Sequence, residues 1–366
     1  MNIPFFPYAA LFQAQESELL SIFRDVGRRG AFINQSELLE FEKILAEYCG
    51  AKYAVGIADG TDAMIIALMA GGIKSGDEVI VCSHTMVATA AAVAFVGAKP
   101  ILVDSGPDRL MDPNAIEPSI TSATKAIMPT QLNGRVADMD KICAIAEEHG
   151  LRIFEDAAQA LGAKYKGKCA GTFGVAGTIS FYPSKTLGCF GDGGAILTSD
   201  PEVYRQILLL RDHGRNEQGE VERWGFNSRL DNLQAAILLH RFKSYDKYIE
   251  RRRQVASLYD QQLRTIKELN LPPPPTEDSD NFDIFQNYEI EADDRDGLRE
   301  HLKKNGIGTI IQWGGKAVHQ WKGLGYDIRL PKVERFFERC FLLPMNTAIT
   351  DEEVSYICDK IAHYYR

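Results

Sequence analysis

The chain has 366 residues, 45% hydrophobic, 10% aromatic and 25% charged, the balance of an ordinary folded protein long enough for two domains. Fifty Asp and Glu against 41 Lys and Arg leave a net charge of −9, which excludes a protein that coats nucleic acid, because neutralising phosphates needs a surplus of cations. The longest apolar stretches, 63–73 and 86–98, fall short of the roughly 20 residues that a membrane-spanning helix requires, so no membrane partner is expected.

In chain order, short β-branched runs at 53–58, 77–83, 99–105, 126–132 and 152–157 alternate with helical patterns. That alternation predicts an α/β fold, a three-layer α/β/α domain whose mainly parallel sheet is covered by helices on both faces. The segment TDAMIIALMAGG after Gly60 is apolar nearly all round and reads as an interior helix, whereas DMDKICAIAEEHG carries one apolar stripe and reads as a superficial one. Strands at 178–182 and 195–199 bracket a Gly-rich stretch, one long charged helix is predicted over 228–264, and the prolines within 271–280 mark a connector. Beyond it come FDIFQNYEIE (strand-like), RDGLREHLKKNG (amphipathic helix), GTIIQW (strand-like) and a last helix from about 351, a smaller α+β pattern. The chain divides into residues 1–250, a large domain with an N-terminal arm, and 251–366, a small C-terminal domain. The N-terminus has no basic residue before Arg24, and the seven cysteines are scattered without C-x-x-C spacing. A reduced, cytoplasmic protein without a structural metal is expected.

Three stretches carry candidate chemistry. SFYPSKTLGCFGDGGA holds Lys185 in a bend between two strands, among hydroxyls and glycines that let backbone N–H groups approach an anion. A lysine desolvated there loses proton affinity and becomes nucleophilic, as a Schiff-base lysine must be; a surface lysine beside a flexible loop is the plainer reading. In IFEDAAQALGA, Asp156 ends an apolar strand, where a buried charge needs a partner such as a protonated pyridine nitrogen, and Gln159 follows within reach of a ring hydroxyl. An N-cap for the next helix is the plainer role. GIADGTDAM places Gly60 and Thr61 between a strand and a helix N-terminus, a phosphate seat that the Asp59 and Asp62 carboxylates would compete for. No dinucleotide fingerprint or phosphate-loop lysine motif is present. Cys82 with His84 lacks further metal ligands, and His213 and His319 read as structural histidines.

Taken together, FEKILAEYCG, GIADGTDAM, GDEVIV, FEDAAQALGA, SFYPSKTLGCFGDGGA and GFNSRLDNLQAA resemble the nucleotide-sugar aminotransferases that use pyridoxal 5'-phosphate, of the aspartate-aminotransferase-like fold (fold type I). The resemblance implies that Lys185 carries the cofactor as a Schiff base, Asp156 pairs with its pyridine nitrogen and Gln159 lies against its ring. Gly60, Thr61 and Ser180 are implied to hold the phosphate, with Asn227 reaching it from the neighbouring subunit of a homodimer. Arg229 and His319 are implied to approach the nucleotide-linked keto sugar, and L-glutamate is the implied amino donor. Where relatives stack an aromatic ring on the cofactor, this chain has Met86, a softer apolar contact. Where they carry a His-Tyr pair in a loop near the sugar, it has Gln312 and Trp313, and at their VHLYG it reads TQLNG. GDGGA after the lysine with NSRLDNLQAA resembles the members that aminate C3 of a hexose linked to dTDP or UDP. Amination at C4 is the nearest alternative; further alternatives are a sugar dehydratase, whose relatives replace the lysine by histidine, and a non-catalytic binding protein on the same fold.

Overall fold

The computed structural model describes residues 1–276 and 280–366. Its central sheet has seven strands in the order Tyr53–Ile57, Gly194–Thr198, Ala176–Ser180, Arg152–Asp156, Thr124–Met128, Glu78–Cys82, Lys99–Val103. All run parallel except Gly194–Thr198, which is antiparallel to both neighbours. Side chains alternate across the sheet: Ile80, Ile127 and Ile153 enter one core with the helices Ser36–Cys49, Met139–Glu148 and Asn232–Phe242. Val79, Val81, Met128 and Phe154 enter the opposite core with Gly60–Ala70, Val87–Phe95 and Pro201–Arg211. This is the expected three-layer arrangement. Helix Gly60–Ala70 buries Ala63, Met64, Ile66, Ala67 and Leu68, whereas Met139–Glu148 buries only the stripe Met139, Ile142 and Ala146, so the interior and surface readings both hold. Among the described residues no helix is long and apolar enough to cross a membrane.

Close sheet packing depends on glycine at one point in particular. A Cβ on Gly177 would lie 2.2 Å from the Gly171 backbone, and neither chain segment can swing aside as a side chain can. Gly177→Ala is therefore expected to cost about 3 kcal/mol, measured as a lowered Tm.

A second, antiparallel sheet is formed by Leu269–Asn270, Tyr288–Ala292 and Cys340–Leu343. Its core joins Val255, Tyr259, Leu298, Phe341 and Ile357, and takes in Ile3 from the N-terminal arm, which bridges Ile307. The helix expected over 228–264 is two helices, Asn232–Phe242 and Tyr245–Leu263. The turn at Lys243 and Ser244 redirects the chain so that the buried Tyr245 hydroxyl donates to Leu161 O at 2.7 Å. Tyr245–Leu263 then gives Tyr245 and Ile249 to the first core and Val255 to Leu263 to the smaller one. GTIIQW makes no strand beyond the single bridge Ile310–Leu342, because Trp313, Gly314 and Gly315 take positive φ of 48°, 68° and 73°. The proline connector includes residues 277–279, which lie outside the described residues.

Candidate active site

The carboxyl ends of the parallel strands converge on one cavity of about 720 Å³, the place where open α/β sheets present functional groups. Asp156 ends its strand there, Ser180 ends the next, Tyr53–Ile57 leads into Asp59 and Gly60, and Thr124–Met128 leads to Thr130. Gly60, Thr61, Met86, Asp156, Gln159, Ser180 and Lys185 all line this cavity. These sequence-predicted residues are thus brought together, and Gln312 and Trp313 also line the cavity.

Lys185 follows a turn in which its N–H donates to Tyr182 O at 2.8 Å. Gln286 of the smaller sheet's region clamps it from both sides: Gln286 Oε1 accepts from the N–H and hydroxyl of Thr186, both at 2.8 Å, and its Nε2 donates to Ser184 O at 2.9 Å. Burial pushes the lysine pKa down to about 8, against the opposing pull of the Asp156 charge. Asp156 itself is 4% exposed; burial raises its pKa, while donors from Thr89 and the Ala158 N–H and the charge of Lys185 counter that rise.

Gln159 Oε1 accepts from Asn133 N at 2.9 Å and Asn287 Nδ2 at 3.3 Å, leaving its NH₂ to donate. At the helix N-terminus, Asp59 Oδ1 accepts from the N–H groups of Thr61 and Asp62 at 2.7 and 2.9 Å. Those backbone donors are engaged within the chain, so an incoming anion is left the hydroxyls of Thr61 and Ser180 and the bare backbone at Gly60. A Cβ at Gly60 would stand 3.0 Å from Ser180 Cβ and narrow that seat. Gln312 of the cavity lining is held by the buried Glu289, which accepts from Asn133 Nδ2 at 2.6 Å and Gln312 Nε2 at 2.9 Å.

The model of the DegT/DnrJ/EryC1/StrS aminotransferases matches residues 13–362. The chain belongs to the DegT/DnrJ/EryC1/StrS aminotransferase family. It is 40% identical over 337 residues to the UDP-2-acetamido-2-deoxy-3-oxo-D-glucuronate aminotransferase of Pseudomonas aeruginosa, covering 92% of this chain and 93% of that one. Among solved structures it is similar to S. venezuelae DesV in complex with a ketimine intermediate, with a TM-score of 0.95, 35% identity and coverage of 100% and 99%. It is also similar to NtdA of Bacillus subtilis with bound PMP, with a TM-score of 0.91, 31% identity and coverage of 99% and 85%. DegT/DnrJ/EryC1/StrS aminotransferases are dependent on pyridoxal phosphate. The donor set of this cavity fits that cofactor: a buried carboxylate for a ring nitrogen, an amine of lowered pKa for an aldehyde, and hydroxyls beside an uncovered glycine for a phosphate.

Asn227, Arg229 and His319 do not line this cavity within the one chain. Asn227 is exposed outside the cavity, although the adjacent Ser228 packs under it, its hydroxyl accepting from Ala58 N at 3.3 Å. Arg229 pairs with Asp212 at 2.8 Å. His319, expected at the substrate, lies outside the cavity with 5% exposure, its Nδ1 2.8 Å from Ser83 Oγ and its Nε2 3.1 Å from Glu334. Both ring nitrogens are spent on fixing its turn, which leaves none for a ligand. Reading the sequence missed Gln286, Glu289 and the threonines Thr85, Thr89 and Thr130 around Asp156. Only the tendency of Asn and Gln to recur in QNYE and TQLNG hinted at a polar wall.

Proposed function

We propose that the chain transfers an amino group from L-glutamate to the C3 carbonyl of a dTDP- or UDP-linked keto hexose, in a homodimer with shared sites, for amino-sugar biosynthesis. The observation that carries this reading is the meeting of the Lys185 amine and the buried Asp156 carboxylate in one cavity beside Gly60, Thr61 and Ser180. Pyridoxal 5'-phosphate, when bound, supplies an electron-withdrawing ring that stabilises negative charge on the donor's Cα. Asp156 holds the proton on the ring nitrogen, Gln159 donates to the ring hydroxyl, and Met86 covers the ring. Gly60, Thr61 and Ser180 hold the phosphate, joined by Asn227 of a second copy. The Lys185 amine would serve as the base that takes the proton from the donor's Cα and, once protonated, as the acid that gives it back. With a pKa of about 8 rather than 10.5, roughly 300-fold more of it is neutral at pH 7.

The exposed Trp224, close in sequence to Asn227, supports burial of this segment against a second copy. Arg229 is assigned to the substrate side of that shared site. C3 is favoured by the GDGGA and NSRLDNLQAA motifs, and the P. aeruginosa relative is named for a 3-oxo sugar. The test is a panel of dTDP- and UDP-linked 3-keto and 4-keto hexoses incubated with glutamate, with products assigned by NMR. A 3-amino sugar is expected; an exclusively 4-amino or deoxy product would overturn the assignment.

A further inference from the structure

Asp156 is not held by the backbone alone. Thr89, fully buried on helix Val87–Phe95, donates its hydroxyl to Asp156 Oδ2 at 2.6 Å. The Thr85 and Thr89 hydroxyls are 2.8 Å apart, and Thr130 donates to Thr85 at 2.9 Å. All three threonines are at most 5% exposed, and Thr85 and Thr130 also line the cavity.

Each hydroxyl has one hydrogen, and an ionised carboxylate can only accept. With Asp156 ionised, the Thr89 hydrogen must point to it. The hydrogen between Thr85 and Thr89 then belongs to Thr85, and Thr130 donates in its turn. The order of all three hydrogens follows from the charge on Asp156, because a protonated Asp156 could itself donate to Thr89 and would no longer impose that order. Hydrogen bonds aligned in this way polarise one another, and their stabilisation falls on the charged form. The remaining oxygen, Oδ1, accepts from Ala158 N at 3.1 Å.

We propose that Thr130, Thr85 and Thr89 form a one-way hydroxyl chain that keeps Asp156 anionic in its buried place, with Thr89 the positioning residue that sets how firmly Asp156 holds a proton on the cofactor's ring nitrogen. This rests on the role given to Asp156 above. Without the Thr89 donor the carboxylate becomes more basic and draws the shared proton toward itself. The ring nitrogen then carries less positive charge, and the nearby nitrogen linked to Lys185 keeps its own proton to higher pH.

The experiment is a pH titration of the cofactor's visible absorbance in the loaded enzyme, comparing wild type with Thr89→Val, Thr89→Ser and Thr85→Val. Thr89→Val, close in shape but without a donor, is expected to raise the midpoint by about one pH unit, the equivalent of one weakened charge-assisted hydrogen bond. Thr89→Ser is expected to restore the wild-type midpoint, and Thr85→Val to fall between. kcat should fall in Thr89→Val with the KM for the nucleotide sugar unchanged. A wild-type midpoint in both Thr89→Val and Thr85→Val overturns the chain while leaving the aminotransferase reading intact. A wild-type protein that forms no lysine-linked chromophore overturns that reading and this inference with it. If Thr89→Val does not fold, the ordering of Thr85→Val against Thr89→Ser decides the matter, since equal midpoints in those two refute the chain.

Discussion

Lys185→Ala is expected to lower transamination by about 10⁴-fold or more, because one residue both attaches the cofactor and moves the proton. The lysine-linked absorbance should vanish with it, and cofactor should wash out on gel filtration more readily than from wild type. A second consequence can be read without cofactor. Burial sets the native lysine pKa at about 8 against an ordinary 10.5, so between those values the unfolded chain binds more protons than the folded one. Stability from this group therefore rises as pH climbs from 8 to 10.5 and is flat below 8. The cavity left by alanine has no such dependence. Urea unfolding of the apoprotein should show wild type gaining about 2 kcal/mol on Lys185→Ala across that window, less than the full linkage value because the side chain is only half-buried. A constant gap from pH 7 to 10.5 would mean that the amine is solvated, and that its nucleophilicity needs another source.

Lys185 and Asp156 were legible in the sequence for the same physical reason. An ionisable group placed after an apolar strand, or in a Gly-rich bend between strands, is costly unless it has a task or a partner. The order of strands and helices was legible because side-chain period changes from two to 3.6 at each junction. What escaped notice depends on contacts distant in sequence or on local backbone choices. Gln286 clamps Thr186 across 100 residues, and nothing near QNYE signals that partner. Thr89 sits in VATAAAVAF, where a threonine among alanines reads as packing. In GTIIQW the β-branched pair suggests a strand, but the left-handed Trp313 turns the chain so that Gln312 reaches Glu289. No glycine or proline marks the break at Lys243 and Ser244, so two helices read as one. The motif resemblance named Asn227, Arg229 and His319 by type, but only the fold shows His319 enclosed between Ser83 and Glu334.

Asp156→Asn is expected to lower kcat by at least about 100-fold while the protein still binds pyridoxal phosphate. An asparagine amide can donate to an unprotonated ring nitrogen, so the cofactor keeps a hydrogen bond, but it has no charge with which to hold a proton there. The surroundings accept this change with little loss. The amide oxygen can still accept from Ala158 N, and the amide NH₂ can donate to Thr89, which reverses the hydrogen order through Thr85 to Thr130 and leaves each hydroxyl paired. Burial raises the native pKa of Asp156. The folded state therefore holds a proton there to higher pH than the unfolded chain does, and the carboxylate costs stability once pH rises above its ordinary 3.8. Removing that cost should leave apo Asp156→Asn at least as stable as wild type at pH 7 by thermal unfolding, with the difference shrinking toward pH 4. High stability with little turnover would mark Asp156 as a group retained for chemistry at the expense of the fold; full turnover in the variant would remove it from the mechanism.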